Sequence, residues 1–253
     1  MAERKIISAL ALSLEKLGIK GGDSLLVHSS LRSLGGVAPD EIIGALIEVL
    51  GSEGTLMFPT PSYETVNARN PFFDCRYTPS NVGALAEYFR TNYPALRSMS
   101  PTHSCAAIGA KAEYLTSGHR LDETPCGPNS PFARLREAGG RILFIGCGTC
   151  PNTSMHGVEE LSNPPYLFGD PPVKVSYMMT DRDGKTYNAV CARHYFKGVV
   201  QRYDRLVPLL SDGGYRCAAV GEAKCELIDA REMWETADAQ YRRSPLYFVD
   251  AEQ

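Results

Sequence analysis

The sequence predicts an α/β protein, a three-layer α/β/α sandwich with a mostly parallel central sheet and an antiparallel patch toward the C-terminal part. Three observations carry this. Short apolar runs such as SLLVHSS, TLMFPT and RILFIGCG alternate with segments whose apolar residues recur at helical spacing, the pattern of strands joined by crossover helices. The stretch VKVSYMMT, DRDG, KTYNAVC alternates around a turn and reads as a hairpin. The 253 residues are 43% hydrophobic and 22% charged, enough for a core that needs no staples. No Pro/Ser-rich linker or charge block divides the chain, so residues 1–253 are taken as one domain.

Taken in order, Ile6, Leu10, Leu14 and Leu17 fall on one helical face, with Gly18 as the C-cap. SLLVHSS is a strand ending in a polar loop. APDEIIGALIEVLG is a helix with proline near its start and Gly51 at its end. TLMFPT is the next strand, and NVGALAEYFR a helix with Asn81 as its cap. SCAAIG is a strand, SPFARLREAGG a short helix and RILFIGCG a buried strand. NTSMHGVEEL is helical, and FKGVVQRYDRLVPLL carries apolar residues at helical spacing. YRCAAV and CELID close the sheet before a last helix around Met233 and Trp234. The segment 61–80, PSYETVNARNPFFDCRYTPS, has no clear period and is too long for a simple connector, so it is expected to form a lid or pocket wall.

A net charge of −3 argues against nucleic-acid binding, which needs a basic face. No apolar run approaches the length of a membrane span. The N-terminal apolar run is interrupted by Glu3, Glu15 and Lys16, which argues against an export signal and for a cytoplasmic protein. The eight cysteines are then free thiols rather than a disulfide framework. These properties suit a small-molecule enzyme, and a cationic ligand.

Four stretches could carry chemistry. In NTSMHGVEE, a cap at Asn152 or Thr153 puts Thr153, His156 and Glu159 on one helical face. A neutral imidazole there accepts a proton, and a carboxylate beside it orients the ring and balances the cation formed. The same spacing suits a capped surface helix with a solvated His–Glu pair. LLVHSSLRSLGG delivers His28, Ser29, Ser30 and Arg32 to a glycine-rich strand exit, where α/β sheets bind ligands. It is equally an ordinary polar turn. RSMSPTHSCAAIG sets Arg97, Ser98, Ser104 and His103 before a buried strand. CGTCPNTSMH contains Cys147 and Cys150, but no second cysteine pair completes a zinc site and no metal is expected. Among the acids, Glu64, Asp74, Glu160 and Asp170, with Asp122 and Glu123, are candidates for gripping a polycationic amine. No P-loop, dinucleotide fingerprint or nucleophile elbow occurs.

The ordered series VHSSLRSLG, GTLMFPT, NVGALAEYFR, RSMSPTHSCAAIG, GPNSPFARL, GGRILFIG and TSMHGVEE resembles the aminoglycoside 3-N-acetyltransferase family, over roughly residues 24 to 160. The resemblance implies an α/β/α sandwich that is not the GNAT fold, which agrees with the missing R-x-x-G-x-G/A phosphate loop. It implies transfer of an acetyl group from acetyl-coenzyme A to an amino group of an aminoglycoside, at the 3-N position, an antibiotic-resistance activity. By the T-x-x-H-x-x-E element it implies Thr153, His156 and Glu159 as catalytic residues. His28, Ser29, Ser30, Arg97, Ser98 and Ser104 match coenzyme A-contacting regions, with Arg32 beside them. One departure is Ser100, where family members commonly carry histidine before the proline. A biosynthetic amine as acceptor, or a non-catalytic coenzyme A- or metal-binding role, are the alternatives, and a homodimer stays open.

Overall fold

The computed structural model describes residues 2–252. The first half of the chain forms α1 (Ala2–Leu17), β1 (Ser24–Ser29), α2 (Pro39–Leu50), β2 (Thr55–Pro59), β3 (Phe72–Asp74), α3 (Ala84–Asn92), β4 (Leu96–Arg97), β5 (Cys105–Gly109) and α4 (Ala112–Thr116). There follow α5 (Pro131–Glu137), β6 (Arg141–Ile145), α6 (Ser154–Ser162), β7 (Lys174–Thr180), β8 (Thr186–Ala192) and β9 (Val199–Gln201). The chain closes with β10 (Tyr215–Val220), β11 (Ala223–Asp229), α7 (Ala230–Arg243) and β12 (Val249–Ala251).

Seven strands make one sheet in the order β10-β11-β6-β1-β2-β5-β4. At its centre β1 pairs in parallel with β2 and β6, and antiparallel strands continue the sheet on both sides. Because side chains alternate across a strand, Leu25 and Val27 join the core beneath α1, α2 and α3, while Leu26 joins the core with α4 to α7. Residues on β6 divide the same way, Leu143 and Ile145 to the first face, Ile142 and Phe144 to the second. The three layers are therefore those expected. The β7–β8 hairpin forms as expected and adds β3 to make a separate three-stranded sheet. Among the described residues no helix is long and apolar enough to cross a membrane.

Two local expectations fail for backbone reasons. FKGVVQRYDRLVPLL is not an α-helix: Gly198 sits at φ 77°, β9 pairs with β12, and Tyr203–Leu209 is a 3-10 turn containing Pro208. Asn81 does not cap α3: Gly83 does, at φ 68°, while the Asn81 carboxamide oxygen accepts from Glu64 N at 3.4 Å.

The segment 61–80 divides in two. Thr60 and Ser62 are tied by their backbone N–H groups to Ser104 O (2.8 Å) and Thr102 O (2.9 Å), which fixes Pro61 and Tyr63 in place. Farther on, Phe73 and Cys75 bury themselves with Tyr177 and Met179 in a small third core. Arg97 joins the two halves. Its guanidinium donates to Thr60 O (2.9 Å), Thr78 O (2.5 Å), Cys75 O (3.4 Å) and Ser104 Oγ (2.9 Å), and lies over the Phe73 ring. Burial lowers its pKa to about 9.

Removing this arginine strands several buried carbonyls. Arg97→Met should destabilise the protein by about 2–4 kcal/mol in urea unfolding, and limited proteolysis should cut first within residues 61–80. A melting profile equal to wild type with no new cleavage would show that the tether is dispensable.

Candidate functional site

The parallel strands β1 and β6 end side by side, with His28 in register with Phe144 and stacked on it at 5.1 Å. Beyond these ends lies a cavity of about 750 Å³, at the place where α/β sheets bind ligands. Two helices open onto it by their N-terminal ends, α3 through Val82 and Gly83, and α6 through Asn152, Thr153 and His156.

Thr153 is the residue preceding α6, as the cap signals predicted, although its hydroxyl makes no capping bond; Asn152 Oδ1 accepts from Ser154 N at 3.1 Å instead. This start puts His156 in the first turn and Glu159 one turn deeper. The His156 Nδ1 lies 2.9 Å from Glu159 Oε2. A carboxylate only accepts, so the proton sits on Nδ1 and Nε2 keeps a free lone pair. Glu159 is fully buried. Tyr166 OH donates to its Oε1 at 2.8 Å, Tyr241 OH to the same oxygen at 3.2 Å, and Tyr203 OH to Oε2 at 2.8 Å. Burial would raise the carboxyl pKa, but the hydrogen bond and charge of His156, with the bonds from Tyr166 and Tyr203, hold it below the ordinary glutamate value. A fixed negative charge thus stands directly behind the ring.

The other cavity histidines differ. Burial, then the charge of His156, lowers His28 to about 3 and His194 to about 3. His103 is held well below its ordinary value by burial and by His194 and His156. His103 and His194 stand 5.5 and 5.3 Å from the His156 ring, centroid to centroid. His194 Nε2 meets Glu160 Oε1 at 2.7 Å, and burial raises Glu160 to about 7. Glu160 also accepts from Cys126 N and Thr124 Oγ1.

The structure brings together His28, Ser29, Thr153 and His156 on the cavity wall, with Glu159 immediately behind. It does not bring the rest of the expected donor contacts there. Arg97 holds scaffold carbonyls, Ser98 is buried with its hydroxyl on His119 Nδ1 (2.9 Å), and Ser104 is buried against Thr60. Their hydrogen-bonding groups are occupied within the protein. Ser30 bonds Ile145 O through its N–H, and Arg32 lies exposed on the following 3-10 turn, both off the wall. The four acids expected to bind the amine are off it too. Asp74 is paired with Arg76, Glu160 is tied to His194, and Glu64 and Asp170 are exposed side chains elsewhere. Among the described residues the wall contains no carboxylate, and its charged residue is Arg193.

Sequence reasoning missed Tyr166, Tyr203, Tyr241 and His194. Thirteen tyrosines are spread through the chain with no spacing that singles these out. Cys147 lines the cavity, but burial pushes its thiol up to about 11. Among the described residues all eight cysteines are free and no group of three or more His, Cys, Asp or Glu side chains could hold a metal ion.

Comparison with known proteins gives one consistent answer. The family model described as aminoglycoside 3-N-acetyltransferase matches residues 26–242. Aminoglycoside N(3)-acetyltransferase IV of Salmonella sp is 30% identical over 92% of this chain and 86% of its own length. Aminoglycoside N(3)-acetyltransferase VII of Streptomyces paromomycinus is 37% identical, over 62% of this chain and 60% of its own length. Among solved structures, a mutant of aminoglycoside acetyltransferase AAC(3)-IVa in complex with a gentamicin superposes with TM-score 0.80 at 30% identity, covering 95% of this chain and 90% of that one. AAC-IIIb as a binary complex with CoASH superposes with TM-score 0.81 at 28% identity, covering 94% and 96%.

Neutral buried histidines make the fold acid-sensitive. Their folded pKa values lie below the unfolded one, so stability is complete above pH 6.5 and is lost as pH falls toward 3. Each such histidine should remove about 1–2 kcal/mol between pH 6.5 and 5. Thermal melts of His28→Leu should therefore show a flatter acid side than wild type. Parallel curves would mean His28 is protonated in the folded protein.

Proposed function

The chain belongs to the aminoglycoside 3-N-acetyltransferase family, and from that membership we propose that it transfers the acetyl group of acetyl-coenzyme A to an amino group of an aminoglycoside or related amino sugar, with His156 as general base. The N3 position is the one the relatives' names give. The observation that carries the mechanism is the His156–Glu159 pair: a ring with Nδ1 fixed, Nε2 free toward the cavity, and a buried carboxylate behind it.

In the ternary complex the uncharged acceptor amine attacks the thioester carbonyl carbon. As the C–N bond forms, the amine loses a proton to His156 Nε2, directly or through one water. The imidazolium forms against the Glu159 carboxylate, whose three tyrosine partners keep it in place. Collapse of the tetrahedral adduct breaks the C–S bond, and the departing thiolate takes the proton back from His156. Ser29 and the exposed N–H groups at the start of α3 are the wall donors suited to the pantetheine arm and the developing oxyanion. Much of the rate comes from holding both substrates in line. An acetyl-cysteine intermediate on Cys147 is disfavoured, because its raised pKa leaves almost no thiolate at neutral pH.

His156→Ala should lower kcat by about a hundredfold or more, measured as free thiol release from acetyl-coenzyme A. Glu159→Gln keeps the shape but removes the charge behind the ring, and should lower kcat by at least about tenfold. Near-wild-type turnover of His156→Ala would remove the ring from this role.

A further inference from the structure

His156 is not the only histidine on its part of the wall. His103 also lines the cavity, and the two rings meet edge to face with 5.5 Å between centroids. His103 comes from the loop before β5, which Ser62 anchors by donating from its N–H to Thr102 O at 2.9 Å and from its hydroxyl to Pro101 O at 2.8 Å. Ser100 Oγ accepts from the His103 N–H at 3.1 Å. The Tyr63 ring stacks on the imidazole at 5.6 Å, and His194 meets it edge-on at 5.2 Å. A ring held from so many sides is preorganised before any substrate arrives.

Its tautomer is the opposite of that of His156. The Thr102 hydroxyl lies 2.9 Å from His103 Nδ1, and both residues are buried. Among the described residues that hydroxyl has no other partner. Were Nδ1 the donor, the hydroxyl hydrogen would lack an acceptor, so Thr102 donates and the ring proton sits on Nε2. Nε2 has no partner among the described residues and, unlike Nε2 of His28 and Nδ1 of His194, is not sealed from solvent. Burial keeps the ring uncharged. His156 thus offers the cavity a lone pair, and His103 offers it an N–H.

The attacked thioester carbon carries the incoming nitrogen and the carbonyl oxygen at once, so the base and the donor to that oxygen must stand on neighbouring groups. We propose that His103 is a further catalytic residue, its Nε2–H donating to the thioester oxygen and gripping it more strongly as the oxyanion forms, in addition to Ser29 and the N–H groups of α3. An uncharged donor suits this place, because it repels neither the imidazolium formed on His156 nor an acceptor bearing several ammonium groups. This rests on the acetyl-transfer reading above and adds a residue to it.

The test reads two quantities on the purified full chain. The first is the infrared carbonyl band of bound acetyl-coenzyme A, isolated by isotope labelling. It should move to lower frequency on binding to the wild type and return toward the free value in His103→Leu. The second is thiol release with gentamicin as acceptor. His103→Leu should lower kcat by about a hundredfold or more with both KM values within about threefold, because the contact strengthens in the transition state. His103→Gln keeps an N–H donor but cannot take up a proton, and should recover at least about tenfold of that loss. A band that does not shift in the wild type, or that shifts equally in His103→Leu, overturns the inference. So does a loss carried by KM alone, an equal loss in both variants, or a His103→Leu kcat within about threefold of wild type. Should His103→Leu prove unfolded by melting, the wild-type band and His103→Gln decide. The band needs no acceptor, so it decides even without turnover of gentamicin. Failure of the wild type to bind acetyl-coenzyme A would sink the transferase reading itself, a different failure.

Discussion

The fold is organised around one buried negative charge. An isolated carboxylate with no exposure would be strongly destabilising or would take up a proton. Glu159 does neither, because four elements converge on it: His156 from its own helix, Tyr166 from the loop after α6, Tyr203 from the 3-10 turn and Tyr241 from α7. The two oxygens are thereby saturated on fixed sides. That arrangement determines which His156 nitrogen is left free, and it couples this ring to the C-terminal third of the chain. Trp234 of α7 adds a further tie, donating from Nε1 to Ser154 Oγ at 3.0 Å at the start of α6.

Burial sorts the remaining histidines by the same physics with a different result. His194 also faces a glutamate, but Glu160 is pushed up to about 7 and His194 down to about 3, so this pair is near neutral where the His156–Glu159 pair is polar. The difference lies in the donors around each acid. Glu159 has three hydroxyls besides its histidine, while Glu160 has Thr124 and one backbone N–H. Two adjacent residues of one helix thus hold a charged carboxylate and a near-neutral one, and only the charged one can balance a cation formed on its histidine.

Much of this was legible in the sequence. The apolar runs placed the central strands, the cap chemistry at Asn152 and Thr153 placed α6, and the i, i+3, i+6 spacing put His156 and Glu159 together. The tyrosine partners were not legible, because their convergence depends on long-range packing that no local period records. The places of Arg97, Ser98 and Ser104 are more instructive. Short polar clusters before a buried strand suggest ligand contacts, yet a long irregular segment needs such groups to satisfy its own backbone. Residues 61–80 have no regular period to pair their own backbone, and Arg97 meets part of that need. The helical spacing in FKGVVQRYDRLVPLL misled for a simpler reason: Gly198 and Pro208 weigh more than the spacing of the apolar residues.

The His156–Glu159 pair and the rest of the cavity wall belong to different parts of the architecture. The dyad stands on α6, rooted in the second core by Met155 and Val158. Much of the rest of the wall is built from connections and an edge: Pro61 and Tyr63 from the anchored segment, Arg193 from the exit of β8, Val200 and Gln201 from an edge strand. Substitution on a connection costs little of the core. A chain can therefore keep the ring and its carboxylate while residues on these connections change. The dyad by itself therefore carries no information about which ligand the rest of the wall admits.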